Sequence, residues 1–179
     1  MLIAKEDFYN WAYSDLLVNS QRGHLAEYIV AVALGIENTT RLEWEPYDLQ
    51  YGDTKIEIKS CAYIQSWEQT KFSTISFDIA PTRLFNLEQN CYEEERRRQS
   101  DLYIFCLLKH QSRETINPMD ICQWAFYVTP TALLNEKFTE QKSISLSVLE
   151  SSNIRPVTFN EIRSKVDEVI NCPKPAYIK

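Results

Sequence analysis

The chain has 179 residues, enough for one domain with one core. Hydrophobic residues make up 44% and charged residues 25%, which excludes a disordered chain, and no apolar run approaches the ~20 residues of a membrane span. The net charge of −6 argues against a dedicated nucleic-acid binder without excluding one, because clustered site carboxylates add negative charge and a local basic face still tracks phosphates.

Residues 6–18 read as a first helix, with Phe8, Trp11, Ala12, Tyr13 and Leu16 at helical spacing. A second helix is expected from Arg22 to Leu34, ending at Gly35, a good residue for a left-handed cap. Leu25, Tyr28, Ile29 and Val32 form one stripe and small apolar residues fill most of the rest, the pattern of a helix buried nearly all round. Glu27 sits inside that run. A buried carboxylate is costly unless paired or metal-bound. It is either a salt-bridge partner, to Lys59 or Arg22, or an acidic group aimed at a metal.

The stretch from Glu45 to Gln65 reads as two short strands joined by a Gly52-Asp53 turn, since glycine takes positive φ without a Cβ clash. With those two residues as the loop, Tyr51 pairs with Thr54 and Asp48 lies across from Glu57. Side chains alternate faces along a strand, so Lys55, Glu57 and Lys59 share a face with Asp48, and Ile56 and Ile58 take the other. Like charges directly opposed are destabilising. Lys59 offsets part of that repulsion; a divalent cation would offset more, since Mg²⁺ takes one or two carboxylates plus waters and phosphate oxygens. A bulge near Gln50 would shift this register by one.

Downstream, Gln65 is a polar residue shortly after the lysine, read either as a site contact or as an exposed side chain. Residues 74–79 alternate as a strand, and Asp78 on it is a reserve acidic candidate. Residues 84–99 read as a helix whose Glu93-Glu94-Glu95-Arg96-Arg97-Arg98 run offers i,i+4 ion pairs. Its three arginines are either a solvated face or phosphate contacts. The apolar run 101–108 reads as a strand buried on both faces, hence central. Residues 124–128 form another strand, Pro130 starts a helix through Lys137, and residues 143–148 alternate as a half-exposed strand. Thr158-x-x-Glu161 is a capping box for a last helix to about Ile170, and the tail from Pro173 reads as loose.

Five cysteines, Cys61, Cys91, Cys106, Cys122 and Cys172, lack C-x-x-C spacing and fit reduced thiols of a cytoplasmic protein, with Cys106 and Cys122 in apolar, core-like surroundings. The N-terminus lacks the apolar core of a signal peptide. Three glycines and the absence of a Walker or dinucleotide motif argue against phosphate-cradling loops.

Pro46-x-Asp48, an eight-residue gap and Glu57-Ile58-Lys59 resemble the Asp…(Asp/Glu)-x-Lys signature of the PD-(D/E)XK, or restriction-endonuclease-like, nuclease superfamily, with Tyr47 between the proline and the aspartate. The upstream glutamate-bearing helix and Gln65 add to the likeness, which covers about half the chain. The resemblance implies a mixed α/β domain over residues 1–179: a restriction-endonuclease-like core at about 20–110, with a central mixed β-sheet flanked by helices, and a C-terminal elaboration at about 111–179. It implies a Mg²⁺-dependent DNA nuclease, with Mn²⁺ as substitute. Asp48, Glu57, the Ile58 carbonyl and Glu27 would hold metal, Lys59 would orient or activate water, and Gln65 would contact the site. Arg96, Arg97 and Arg98 are the candidate nucleic-acid contacts, DNA is the partner, no membrane is involved, and a homodimer is compatible with it. Two other readings stand beside it: a non-catalytic nucleic-acid-binding or assembly module on the same fold, and a purely structural hairpin in which Lys55 and Lys59 neutralise the two acids.

Overall fold

The computed structural model describes residues 2–38, 41, 45–86 and 89–171. The chain runs through α1 (Lys5–Ala12), α2 (Asn19–Leu34), β1 (Leu49–Tyr51), β2 (Thr54–Ala62), β3 (Ser76–Asp78), β4 (Thr82–Asn86), β5 (Cys91–Arg97), β6 (Leu102–Leu108), β7 (Trp124–Pro130), α3 (Thr131–Lys137), β8 (Ser143–Ser145), α4 (Leu146–Ser151) and α5 (Ile162–Asn171). This is a mixed α/β fold around a four-stranded sheet of order β1-β2-β6-β7. β2 and β6 are parallel, while β1–β2 and β6–β7 are antiparallel.

All seven residues of β6 are buried, as its unbroken apolar run predicts for a central strand. Its alternate side chains supply two cores. On one face Ile104 and Cys106 join Ile56 and Ile58 of β2, Ala26 and Val30 of α2, and Ile162 and Val166 of α5. On the other, Tyr103 and Phe105 join Phe77 of β3, Leu134 of α3, Ile144 of β8 and Leu149 of α4. The stretch after residue 111 therefore gives the main sheet its edge strand β7 and both cores part of their packing.

Several elements depart from the sequence expectations. α1 stops at Ala12 because it buries nothing; Phe8, Tyr9 and Trp11 are exposed, and Asp15 closes a turn by accepting the Leu17 N–H at 2.9 Å. α2 begins at Asn19 and ends as expected on Gly35, at φ 75°. It is not apolar all round: Tyr28 and Val32 face outward. Within the helix expected over 84–99, residues 84–86 belong instead to β4 and residues 91–97 to its antiparallel partner β5. Arg83 pairs with Arg96, and the Phe85 and Tyr92 rings meet edge-to-face at 5.0 Å, a cross-strand contact that outweighs the helical i,i+4 charge pattern. Residues 143–148 split, because the Ser145 hydroxyl accepts the Val148 N–H at 3.3 Å and caps α4 there. The capping box is present: the Glu161 carboxylate accepts the Thr158 N–H at 2.8 Å and its hydroxyl at 2.6 Å. Cys106 is buried but Cys122 is exposed, in the middle of the short 3₁₀ turn Ile121–Gln123 that precedes β7. Cys172 and the tail lie outside the described residues. Among the described residues no helix is long and apolar enough to cross a membrane.

Candidate active site

The hairpin that carries the acidic residues has the expected register. Gly52 sits at φ 58°, and Tyr51, Gln50 and Leu49 pair with Thr54, Lys55 and Ile56. The ladder then stops. The Asp48 N–H donates to the Ile56 carbonyl at 3.0 Å, one residue short of the Glu57 that a continued register would oppose. A continued ladder would bring Tyr47 to Ile58; instead Asp48 Oδ2 accepts the Ile58 N–H at 2.6 Å. The Asp48 carboxylate thus lies at the β2 edge that β1 leaves open. The N–H and C=O of one strand residue point to the same side, so the Ile58 carbonyl faces that edge too.

Glu57 and Lys59 project from β2 onto the Tyr103 face of the sheet. Lys59 Nζ donates to Glu57 Oε1 at 2.5 Å, and the Ser100 hydroxyl donates to Glu57 Oε2 at 3.2 Å. Pro46, Glu57, Lys59, Asp78 and Tyr103 line a narrow hollow of about 70 Å³, whereas Asp48 lines the separate cleft that holds Glu27. Lys55 does not neutralise Asp48; its ammonium lies 5.3 Å above the Tyr47 ring. Asp78 is exposed, with Oδ1 accepting the Ala80 N–H at 2.8 Å.

These groups perturb one another. Burial, then the charge of Glu57, pushes the Asp48 carboxyl up to about 7, with Glu27 adding to the rise and the Ile58 N–H and Lys59 opposing it. Burial alone would lower Lys59, but the charge and hydrogen bond of Glu57, with Asp48 and Asp78, raise it overall, so it stays cationic. Burial and then Glu57 also raise the Tyr103 phenol.

Glu27 is buried on α2 and lines a cleft of about 350 Å³ with Asp48 and Arg41. Its carboxylate takes Arg41 Nε at 2.5 Å and Nη2 at 3.2 Å, so its ion-pair partner is neither Lys59 nor Arg22. Gln65 is not an exposed side chain. It is buried, its oxygen accepts Arg22 Nη1 at 3.1 Å, and its amide donates to the Ala62 carbonyl at 2.8 Å and to Ser73 Oγ at 3.2 Å. Arg96 and Arg97 are exposed on β5. Arg98 is buried and built into the structure, donating to the Ile79 and Phe138 carbonyls at 2.8 Å and to Asn135 Oδ1 at 2.7 Å. It is therefore a strut of the fold and not an available phosphate contact.

Among the described residues, no three His, Cys, Asp or Glu side chains gather closely enough to hold a metal by themselves. The donors available at the β2 edge are the Asp48 carboxylate and the Ile58 carbonyl, with the Glu57 carboxylate on the adjacent face. Ser100 and Arg41 carried no sequence signal, since neither belongs to a recognisable spacing.

A family model described as bacteriophage T4 endonuclease IV matches residues 5–148. The chain belongs to the bacteriophage T4 endonuclease IV family. It is thus a nuclease-family protein, and the match spans α2, the hairpin, Glu57, Lys59 and Ser100. No curated protein and no solved structure matches the chain.

Proposed function

We propose that this endonuclease IV family member is a divalent-metal-dependent DNA endonuclease of the restriction-endonuclease-like type, centred on Asp48, Glu57, the Ile58 carbonyl and Lys59. The observation that carries this reading is the Asp48 carboxylate, half-buried at the open β2 edge beside the Ile58 carbonyl and under the charge of Glu57. Folding leaves that acid under-compensated, as a site destined for a cation would be. Two carboxylates and a carbonyl, completed by water and phosphate oxygens, suit Mg²⁺ or Mn²⁺, which do not need an all-protein cage. When bound, such a cation supplies Lewis-acid stabilisation of the scissile phosphate and a more acidic water. Lys59 remains protonated beside Glu57, so it acts as a positioned cation that orients water and stabilises charge on the phosphate, not as a general base. Ser100 holds the second oxygen of Glu57 and fixes that carboxylate. Glu27, through the cleft it shares with Asp48, adds a further acidic group near the centre.

The test is cleavage of plasmid and linear DNA with Mg²⁺ or Mn²⁺, and with EDTA. Wild type cuts only with metal. Asp48→Asn loses both cleavage and calorimetric Mn²⁺ binding; Lys59→Ala loses cleavage but keeps Mn²⁺ binding. Undiminished cutting in EDTA or by Asp48→Asn would sink the reading. DNA bound but left intact in both metals would make the protein a binding module.

A further inference from the structure

A second cleft, of about 430 Å³, lies on the other side of Lys59, between the start of α2 and the loop after β2. Its floor holds Arg22, which is only 3% exposed. The guanidinium donates to three neutral acceptors, the Leu17 carbonyl at 2.8 Å, Gln65 Oε1 at 3.1 Å and Asn19 Oδ1 at 2.6 Å. Its Nε is buried without a partner. Among the described residues no carboxylate pairs with it. A desolvated cation without a counter-charge destabilises a fold unless something anionic completes it. Lys59 shares the cleft, as do Asn19, Ser60 and Ser73. α2 starts at the same place with Val18 in its cap position, no side-chain cap and no acid in its first turn, so its positive end is also uncompensated. The carboxylate on the rim, Asp78, already accepts the Ala80 N–H.

We propose that this cleft is an anion subsite that holds a phosphate group of the nucleic-acid substrate, gripped by Arg22 and Lys59, next to the phosphate being cut. Phosphate chemistry follows from the donor set: a planar fork, an ammonium and small hydroxyl or amide donors match tetrahedral oxygens. That the phosphate belongs to a nucleic acid rests on the nuclease reading above, and Lys59, common to both sites, sets the two phosphates side by side. It is either an internal linkage or a strand end.

The experiment measures binding of a fluorescein-labelled oligodeoxynucleotide by anisotropy in EDTA, so that no cleavage is involved. Arg22→Lys keeps the charge and loses the fork. Thr74→Glu places a carboxylate on an exposed position of the cleft wall with little folding risk. Each should weaken binding about tenfold; Thr74→Glu, which changes the charge of the cleft, should also reduce the salt slope by about one, and Arg22→Lys should leave the slope as in wild type. Ser164→Glu on α5, the charge-matched control, should bind as wild type. A methylphosphonate backbone that abolishes the difference between wild type and variants marks an internal phosphate; a 5′-phosphate that strengthens wild-type but not variant binding marks a strand end. Wild-type affinity in both variants at unchanged melting temperature, or equal weakening by Ser164→Glu, overturns the subsite. The two readings fail separately: cleavage by Asp48→Asn would remove the proposed centre while leaving the subsite, which is read in EDTA, standing.

Discussion

The Asp48 carboxylate replaces a main-chain acceptor, taking the Ile58 N–H at 2.6 Å where the β1–β2 ladder has ended. The same carboxyl is pushed up to about 7 from its ordinary 3.8. Between those values the folded protein holds a proton that the unfolded chain releases, so stability falls as pH rises across the window, by about 1.4 kcal/mol per unit, and levels off above it. Asp48→Asn keeps an oxygen for the Ile58 N–H and removes the titration. The metal-free variant should match wild type near pH 4 and exceed its melting temperature by several degrees at pH 8. Thermal melts across that range check it; a variant less stable at pH 8 would show that Asp48 holds the fold as an anion.

Glu57→Gln tests how strongly the two acids feel each other. Removing that charge should move the Asp48 midpoint below about 7, measurable by carboxyl NMR, because Glu57 ranks just after burial among its causes. The Ser100 hydroxyl retains an acceptor, and the lost Lys59 pair is partly exposed, so the change in unfolding free energy should stay within about 1 kcal/mol. A midpoint that stays at about 7 would remove the basis for a cation shared between Asp48 and Glu57.

The three consecutive arginines should behave in two ways. Arg98→Ala orphans the Ile79 and Phe138 carbonyls and should cost about 3 kcal/mol or more in urea unfolding. Arg96→Ala and Arg97→Ala should change stability by less than about 0.5 kcal/mol and weaken DNA binding at low salt. Stability loss in all three would mean that the β4–β5 hairpin is held by its charges.

What the sequence made legible was local. The Gly52-Asp53 turn fixes a two-residue loop, and the loop fixes the register from Leu49 to Ile56. The run from Leu102 to Leu108 declares a buried strand through its composition alone. The misread stretches are those in which local pattern suits two structures. Glu93 to Arg97 fits a helix by its i,i+4 pair, which forms even so, yet its backbone partners are on β4, and Ser145 fits an alternating strand until its hydroxyl caps a helix. The site shows the same division. Glu57 and Lys59 are neighbours along β2, whereas Ser100 reaches Glu57 only because β2 and β6 run parallel, an approach across 43 residues of sequence. The burial of Arg98 depends on Asn135 and Phe138, which nothing near residue 98 announces.

Glu27 has two possible duties that one pair of variants separates. It is buried, clasped by Arg41, and in the same cleft as Asp48, whose carboxyl its charge helps raise. If Glu27 only anchors Arg41, then Glu27→Gln and Arg41→Ala both break that pair and should have parallel effects on turnover. If it also serves the centre, the two diverge. Expected is that Glu27→Gln cuts turnover at saturating Mg²⁺ by about tenfold or more, since a polar group feeding the centre acts in the transition state. Arg41→Ala should cost about 1–3 kcal/mol of stability by leaving the carboxylate desolvated, with a much smaller loss of turnover. Added Mg²⁺ should restore more of the melting temperature in Arg41→Ala than in wild type, because the released carboxylate then has a cation to face. Equal loss of turnover in both variants, with no such recovery, would confine Glu27 to the ion pair.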